Sequence, residues 1–452
     1  MDLVTDAPNR RFTAHGPGTP AEVWRARLAP GTREPLSLDG VRRLVVVGAH
    51  PDDESLGAGG LIASARAAGI PVHLVCATDG EGSHPDSPTH PPEALAARRV
   101  AEWEAAAREL GVGATERHRL GLTDGGLRDR VPALTTALVD LVGDGRGTVL
   151  VATWSQDGHP DHAAVGRAAG IAARRTDAQL WEFPIWFWHW ADPDDPRVPP
   201  LRPLTCDEAA YESKWAAIAA HRSQVEALSS LAGDEVLLTP GLLAHFEGPE
   251  WFVVTPGRHC PDDALDDLHR ASADPWGTDS RWYERRKRDL LLATLPRPRF
   301  RHVLEVGCST GTLTGALADR ADRVLGIDRS VAALQAARRR LADREHVVVA
   351  DLDVATSWPE EGPFDLVVVS EVGYFLSPAA VDGLVDRIAS ALAPDGVVAL
   401  CHWVHRVEGW VLDADDVHRR FADGSLPPLQ ATYRDRDLEI HVHAADWPDH
   451  EQ

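Results

Sequence analysis

Residues Leu44–Glu54, LVVVGAHPDDE, decide the fold: an unbroken β-branched run ends abruptly in a polar cluster. A short apolar run bounded by Gly suits a strand buried on both faces, as in a parallel sheet. Gly57–Ala68 reads as the helix that follows and Val72–Thr78 as the next strand. Helical patterns over Glu93–Leu110 and Val131–Val142, a strand at Thr148–Thr153 and a helix after His162 continue the series. Strand alternating with helix predicts an α/β, doubly wound domain with helices on both faces of a parallel sheet. The rhythm stops at PGRHCPDDALDDLHRASADP, residues 256–275, an acidic, Pro-bearing stretch expected to be a linker. A second series then begins with a helix at Ser280–Thr294. Strands are expected at His302–Val306, Arg323–Ile327, His346–Ala350, Leu366–Val369 and Val397–Cys401. The expected organisation is a first domain over 1–255, a linker over 256–275 and a second doubly wound domain over 276–452.

Length and charge agree with this division. A single core rarely grows beyond roughly 250–300 residues, and the chain has 452. The formal net charge of −23 argues against a nucleic-acid partner, since phosphate contacts need a basic surface. No window offers the ~18–20 apolar residues of a membrane helix, and the N-terminal stretch has no apolar core of a secretory signal. The five cysteines stand singly, which suits a reducing compartment and predicts a cytoplasmic protein. Lys214 and Lys287 are the only lysines, so arginine carries nearly all the positive charge.

Ligand sites of open α/β sheets lie beyond the carboxyl ends of their strands. His50, Asp52 and Asp53 stand at such an end, and His159 and His162 follow a later strand within GHPDH, residues 158–162. One His after a strand is usually a loop residue and one Asp before a helix usually an N-cap. Two such clusters in one crevice read instead as a mixed N/O metal site, which suits zinc with a position left for water. AHPDDE with a late HPDH resembles the PIG-L/LmbE-like zinc deacetylases, which hydrolyse N-acetyl groups of amino sugars and related amides. Arg99-x-x-Glu102, the segment LGLTDG at 120–125, and Lys214 with HRSQ at 221–224 extend the likeness over about Leu44 to Phe252. The resemblance implies His50, Asp53 and His162 as zinc ligands, Asp52 as general base and His159 as the group facing the oxyanion. It places Arg99 and Asp124 near the site; His221 and Ser223 fit helix packing equally well.

The second series carries Glu305-Val306-Gly307-Cys308-Ser309-Thr310-Gly311 at a strand-to-helix turn. The spacing is G-x-x-x-G, an acid precedes the first Gly, and Asp328 ends the next strand, a pattern unlike the G-x-G-x-x-G of dinucleotide sites. With Asp351-Leu352 after a third strand, it resembles the class I S-adenosylmethionine-dependent methyltransferases, a Rossmann-like family. The likeness implies Glu305, Gly307 and Gly311 around the methionine part of the cofactor, Asp328 at the ribose, Asp351 and Leu352 at the adenine, and Cys308 as a further cofactor-binding residue. DPWG at 274–277, WYERRK at 282–287 and SEVGYFL at 370–376 resemble the nodulation-type N-methyltransferases. Glu371, His402 and Tyr374 are then candidates to orient an amine or take its proton, and Trp282, Trp403 and Trp410 to stack on a sugar or simply to pack.

Resonance withholds an amide nitrogen's lone pair, so deacetylation exposes a better methyl acceptor. The expectation is a bifunctional enzyme using Zn2+ and S-adenosylmethionine on a small N-acetylated amino sugar or related amide. An uncoupled amidase joined to an O-methyltransferase is the alternative.

Overall fold

The computed structural model describes residues 18–28, 33–195, 198–255 and 264–447. The chain divides into two compact units, one of residues 1–173 and 178–257, the other of 174–177 and 258–452. The first holds strands β1 (Arg43–Gly48), β2 (Val72–Thr78), β3 (Arg117–Leu122), β4 (Thr148–Thr153), β5 (Gln179–Phe183), β6 (Leu201–Leu204) and β7 (Glu250–Thr255). The second holds β8 (Phe300–Val306), β9 (Ala321–Asp328), β10 (Val347–Asp351), β11 (Phe364–Ser370), β12 (Leu392–Trp403), β13 (Leu429–Arg434) and β14 (Leu438–Ala444).

The two sheets share one topology. Their orders are β3-β2-β1-β4-β5-β7-β6 and β10-β9-β8-β11-β12-β14-β13. In each, the strand that comes first in sequence lies near the middle, with the chain winding outward in both directions from it. The crevice where this direction reverses, beyond the carboxyl ends of β1 and β4 or of β8 and β11, is where such sheets bind ligands. The sheets are mixed, a departure from the all-parallel expectation: β7 runs antiparallel to β5 and β6, and β14 antiparallel to β12 and β13. For β13 and β14 the reason is local, since the connection at residues 435–437 has room only for a hairpin.

Helix Asp53–Ala67 lies almost wholly buried along the first sheet. Its glycines make that approach possible. A Cβ on Gly57 would stand 2.0 Å from the Phe183 ring, and one on Gly59 2.9 Å from the Lys214 side chain. Lys214 in turn donates to Glu250 at 2.9 Å, and Glu250 accepts the amides of Gly60 and Leu61, both at 2.8 Å. Lys214 is therefore a packing residue that ties helix Glu208–Ala220 to β7. Losing one member of so buried a pair typically costs about 3–5 kcal/mol.

The stretch read as a linker differs from expectation. Residues 256–263 lie outside the described residues, and Ala264–Ala271 form a helix of the second unit. Asp266 accepts from Ser330 Oγ at 2.6 Å, and Leu265 and Leu268 help line a cavity beside β8. The acidic positions hid this amphipathic helix because they fall on the faces away from the cavity or serve that hydrogen bond. Among the described residues, no helix is long and apolar enough to cross a membrane.

Candidate functional sites

In the first unit, β1 ends at Gly48 and the chain turns sharply into helix Asp53–Ala67. Asp53 Oδ2 accepts the amides of Ala49 and His50 at 2.8 and 2.9 Å, which fixes the turn. Asp52 sits at φ 143°, outside the usual range for an L residue. Such strain costs about 1–3 kcal/mol and persists where surroundings enforce it. Here the buried Arg99 enforces it, donating to Pro51 O at 2.8 Å, Asp52 Oδ2 at 3.1 Å and Gly80 O at 2.9 Å.

Two imidazole nitrogens and the two oxygens of the Asp53 carboxylate converge beside this turn. His162 Nε2 is 3.2 Å from Asp53 Oδ1 and 3.3 Å from His50 Nδ1, and His50 Nδ1 is 3.7 Å from Asp53 Oδ2. Ligands about 2.0–2.1 Å from one ion in a tetrahedron stand about 3.3–3.4 Å apart, so the set fits a zinc-sized ion. His159 also lies close, its ring centroid 4.9 Å from that of His50 and 4.7 Å from that of His162.

The far nitrogens of the His50 and His162 rings are held by carboxylates. His50 Nε2 lies 3.1 Å from Asp124 Oδ1 and 3.5 Å from Asp161 Oδ2, while His162 Nδ1 lies 2.7 Å from Asp157 Oδ2. Outer carboxylates of this kind fix the tautomer and orientation of metal-binding imidazoles. Asp157 is itself fully buried and accepts the amides of Ile185, Trp186 and Phe187 at 2.7, 3.1 and 3.0 Å. Asp161 likewise holds the loop after β3 through the amides of Gly125 and Leu127.

The environment separates the titratable groups. Burial pushes the Asp52 carboxyl up to about 6, against the pull of Arg99. Burial pushes His159 down to about 3, with His162 and His50 adding to it, so the ring is neutral. His159 Nδ1 accepts the Asp161 amide at 3.2 Å, which leaves its proton on Nε2. The sequence-predicted His50, Asp52, Asp53, His159 and His162 thus meet in one place, together with Arg99 and Asp124. His221 and Ser223 do not join them: His221 Nε2 is 3.0 Å from Ser55 Oγ in the interior, and Ser223 is bound to Glu102. Asp157 escaped the sequence reading because an Asp before Gly looks like an ordinary turn residue.

In the second unit a cavity of about 790 Å³ opens at the ends of β8, β9 and β11. Gly307 lines it at φ 77°, where a Cβ would meet Val372 Cγ2 at 2.0 Å. Glu305, Cys308, Asp328 and Leu352 also line it. Glu305 is buried, its Oε2 has no protein partner, and burial raises its carboxyl to about 8. An unpaired acceptor beside the glycine turn fits a cofactor's cationic end. Asp328 presents a carboxylate held by the amides of Ser309 and Ser330 at 2.9 and 2.8 Å.

Three expected residues stand elsewhere. Gly311 does not line the cavity; its φ of 78° and a Cβ position 3.1 Å from Ala337 Cβ mark it as a packing glycine against helix Val331–Arg340. Asp351 is exposed on β10, while Asp353, two residues on, reaches the wall. His402 is fully buried off the cavity, its Nε2 accepting the Gly373 amide at 3.2 Å and its Nδ1 3.0 Å from His418 Nε2. Strand alternation explains the last case: Trp403, the neighbour on β12, reaches the cavity instead.

Glu371 does line the cavity, at the unusual φ of 59°. It accepts from Lys287 Nζ at 3.1 Å, from the Trp403 amide at 3.3 Å and from the Tyr374 hydroxyl. Lys287 also reaches Glu284 at 2.8 Å. Burial raises the Glu371 carboxyl, while Lys287 counters it. Trp276, Trp403 and Trp410 line the cavity, whereas Trp282 is exposed beyond it. Lys287 and Glu284 had no role in the sequence reading, because i,i+3 charge pairs on a helix are common.

Comparison with known proteins separates the same two parts. Residues 45–173 match the family model described as PIG-L, GlcNAc-PI de-N-acetylase, and residues 303–396 match that of a methyltransferase domain. The chain thus joins a PIG-L deacetylase-family domain to a methyltransferase-family domain that resembles the nodulation proteins. Nodulation protein S of Sinorhizobium fredii is 34% identical over 154 residues, covering 33% of this chain and 66% of its own length. For the Rhizobium tropici protein of the same name that share is 53%, so the chain spans only about half to two thirds of these relatives. A 1D-myo-inositol 2-acetamido-2-deoxy-alpha-D-glucopyranoside deacetylase of Mycobacterium is 28% identical over 293 residues, covering 54% of this chain and 92% of that protein. Among solved structures, the N-methyltransferase NodS from Bradyrhizobium japonicum with S-adenosyl-l-homocysteine shows 26% identity and a TM-score of 0.37, covering 40% of this chain and 98% of that one.

Proposed function

We propose that the chain removes an N-acetyl group from an amino sugar or related small metabolite in its first unit and, in its second, transfers a methyl group from S-adenosylmethionine to the amine released. The observation that carries this reading is the convergence of His50, Asp53 and His162 donor atoms at 3.2–3.7 Å beside the buried Asp52. The mycobacterial relative, named as a deacetylase of a 2-acetamido sugar, supports the substrate class.

Zinc held by those three side chains would supply Lewis acidity, making an amide carbonyl more electrophilic and a nearby water more acidic. Asp52, held by Arg99, is placed to take the proton of the attacking water and pass it to the leaving nitrogen. The neutral His159, with its proton on Nε2, donates a hydrogen bond to the carbonyl oxygen as negative charge develops there. Asp124 and Asp157 keep the rings of His50 and His162 turned inward.

In the second unit Glu305 would hold the ammonium of the methyl donor, and Gly307 would let the backbone approach that donor closely. Methyl transfer is a direct displacement, so placement of the acceptor dominates. Glu284 and Glu371 share Lys287 and both line the cavity, where a carboxylate can hold an amine. Glu371, with its raised carboxyl, takes the proton that the amine must lose before it attacks.

The full chain, zinc-loaded and given S-adenosylmethionine, would be incubated with N-acetylglucosamine, N-acetylchitooligosaccharides and related acetamides, and the products followed by mass spectrometry. Acetate release should precede methylation. A methylated product that keeps its acetyl group overturns the order, and no acetate from any compound overturns the substrate class.

A further inference from the structure

Strand β14 puts Leu438, Ile440, Val442 and Ala444 into the apolar core. Alternation turns Glu439, His441 and His443 to the other face of the sheet. Helix Ala414–Asp423 brings His418 to the same place, its ring centroid 4.3 Å from that of His441. His418, Glu439 and His441 each offer a donor atom, and the three atoms lie within 4.8 Å of one another. None of the three lines the cavity described above.

We propose that His418, Glu439 and His441 form a second metal site, one for zinc or another transition ion that favours imidazole, clamping helix Ala414–Asp423 onto strand β14. Two independent observations meet here. The donors are grouped, with His441 Nε2 2.9 Å from Glu439 Oε1, and one nitrogen of each ring lacks a protein partner: His418 Nδ1 and His441 Nδ1 are buried with none, as is Nε2 of the adjacent His443. His418 is 2% exposed and Glu439 5%. Buried polar atoms are almost always paired, so a cluster of orphans calls for a ligand. The donor set selects its type. Two imidazoles and one carboxylate suit zinc and its neighbours, whereas magnesium and calcium prefer oxygen. Arg434, 2.8 Å from Glu439, reduces the site's negative charge and disfavours hard cations further.

The site is linked to the cavity wall by a proton-ordered chain. The Gly373 amide is a donor, so His402 Nε2 accepts and His402 Nδ1 carries the proton that faces His418 Nε2. His418 then keeps its own proton on Nδ1, the orphaned atom. An ion bound at Nδ1 displaces that proton, and His418 becomes the Nε2–H tautomer donating to His402. His402 in turn places its proton on Nε2 and gives up the Gly373 hydrogen bond. Both rings stay neutral and the proton count of the pair is unchanged. Metal loading is therefore coupled, at the cost of one neutral hydrogen bond, to the turn that follows Glu371.

The test uses the full chain with the first site disabled by His162→Ala, loaded with zinc, gel-filtered and analysed for bound metal. About one equivalent should remain, and His441→Gln in the same chain should remove it. No bound zinc in the His162→Ala chain overturns the proposal, as does one equivalent retained after His441→Gln. Should the His162→Ala chain fail to fold by circular dichroism, His441→Gln is compared with the unaltered chain. It should lose one equivalent while keeping S-adenosylhomocysteine binding, and unchanged metal content overturns the assignment. If the deacetylase site is the one that holds no metal, the unaltered chain binds a single equivalent that His441→Gln abolishes, which separates the two failures.

Discussion

Asp157→Asn should disable the first site although Asp157 is not itself a proposed ligand, because it acts through His162. The carboxylate spends Oδ1 on the amides of Ile185 and Phe187 and Oδ2 on Trp186 N–H and His162 Nδ1. An Asn that keeps the first pair turns its NH2 toward the Trp186 amide and the imidazole. Trp186 N–H then loses its acceptor inside a fully buried pocket, which costs about 1–3 kcal/mol of stability. His162 now receives a hydrogen bond at Nδ1, so its proton moves to Nε2, the atom needed for the metal. Loss of such an outer partner typically weakens metal binding about 10–100-fold, or about 1.4–2.8 kcal/mol. Zinc affinity would be measured by chelator competition, stability by thermal melting, and activity as acetate release at saturating zinc. The expected result is weaker zinc binding with hydrolysis restored in part by excess metal. Unaltered zinc affinity in a folded Asp157→Asn protein would show that the metal does not use His162 Nε2, and the site as described would be wrong.

Other perturbations have equally definite outcomes. Glu305→Gln should weaken S-adenosylhomocysteine binding about 10–150-fold, the worth of a hydrogen bond to a charged group, measured calorimetrically. The same change should steady the ligand-free protein on the alkaline side. The Glu305 carboxyl, raised by burial to about 8, favours the fold below its unfolded value near 4.5, and that contribution is lost as pH rises towards 8. Lys287→Met leaves Glu284 and Glu371 facing each other without a cation. The acid limb of the pH profile for methyl transfer should move to higher pH, with Lys287→Arg restoring it in part; an unmoved limb removes Glu371 as the proton acceptor. Burial holds His221 and His402 neutral down to about 3. Each unfolded ring binds a proton below about 6.5, so stability should fall as pH drops from there, by up to about 1.4 kcal/mol per pH unit for each ring. A flat stability between pH 6.5 and 4 would contradict that reading.

Much of this was legible in one dimension. LVVVGAHPDDE announces a buried strand and its ligand-bearing end because parallel strands are apolar throughout and their sites sit at their carboxyl ends. The glycine turn at Gly307 was legible for the same reason: its backbone conformation excludes other residues. The later strands were harder. β13 and β14 alternate polar with apolar residues, and β14 carries Glu439, His441 and His443, so their pattern is that of exposed or irregular chain until the opposite face is seen to be buried. Helix Ala264–Ala271 was hidden by its acidic residues in the same way.

The sequence alone determined the two strand-helix series, the proposed ligand set and the acid before the glycine turn, because each depends on residue type at short range. Tertiary structure decided the rest. It selected Asp157 as the partner of His162, placed Gly311 against a helix instead of the cofactor cavity, and turned His402 away from the wall where Trp403 and Glu371 stand. Each of those outcomes depends on which side of a strand or turn faces which neighbour. Burial shifts the carboxyls of Asp52 and Glu305 for the same reason: desolvation is a property of the folded surroundings, which residue identity along the chain does not contain.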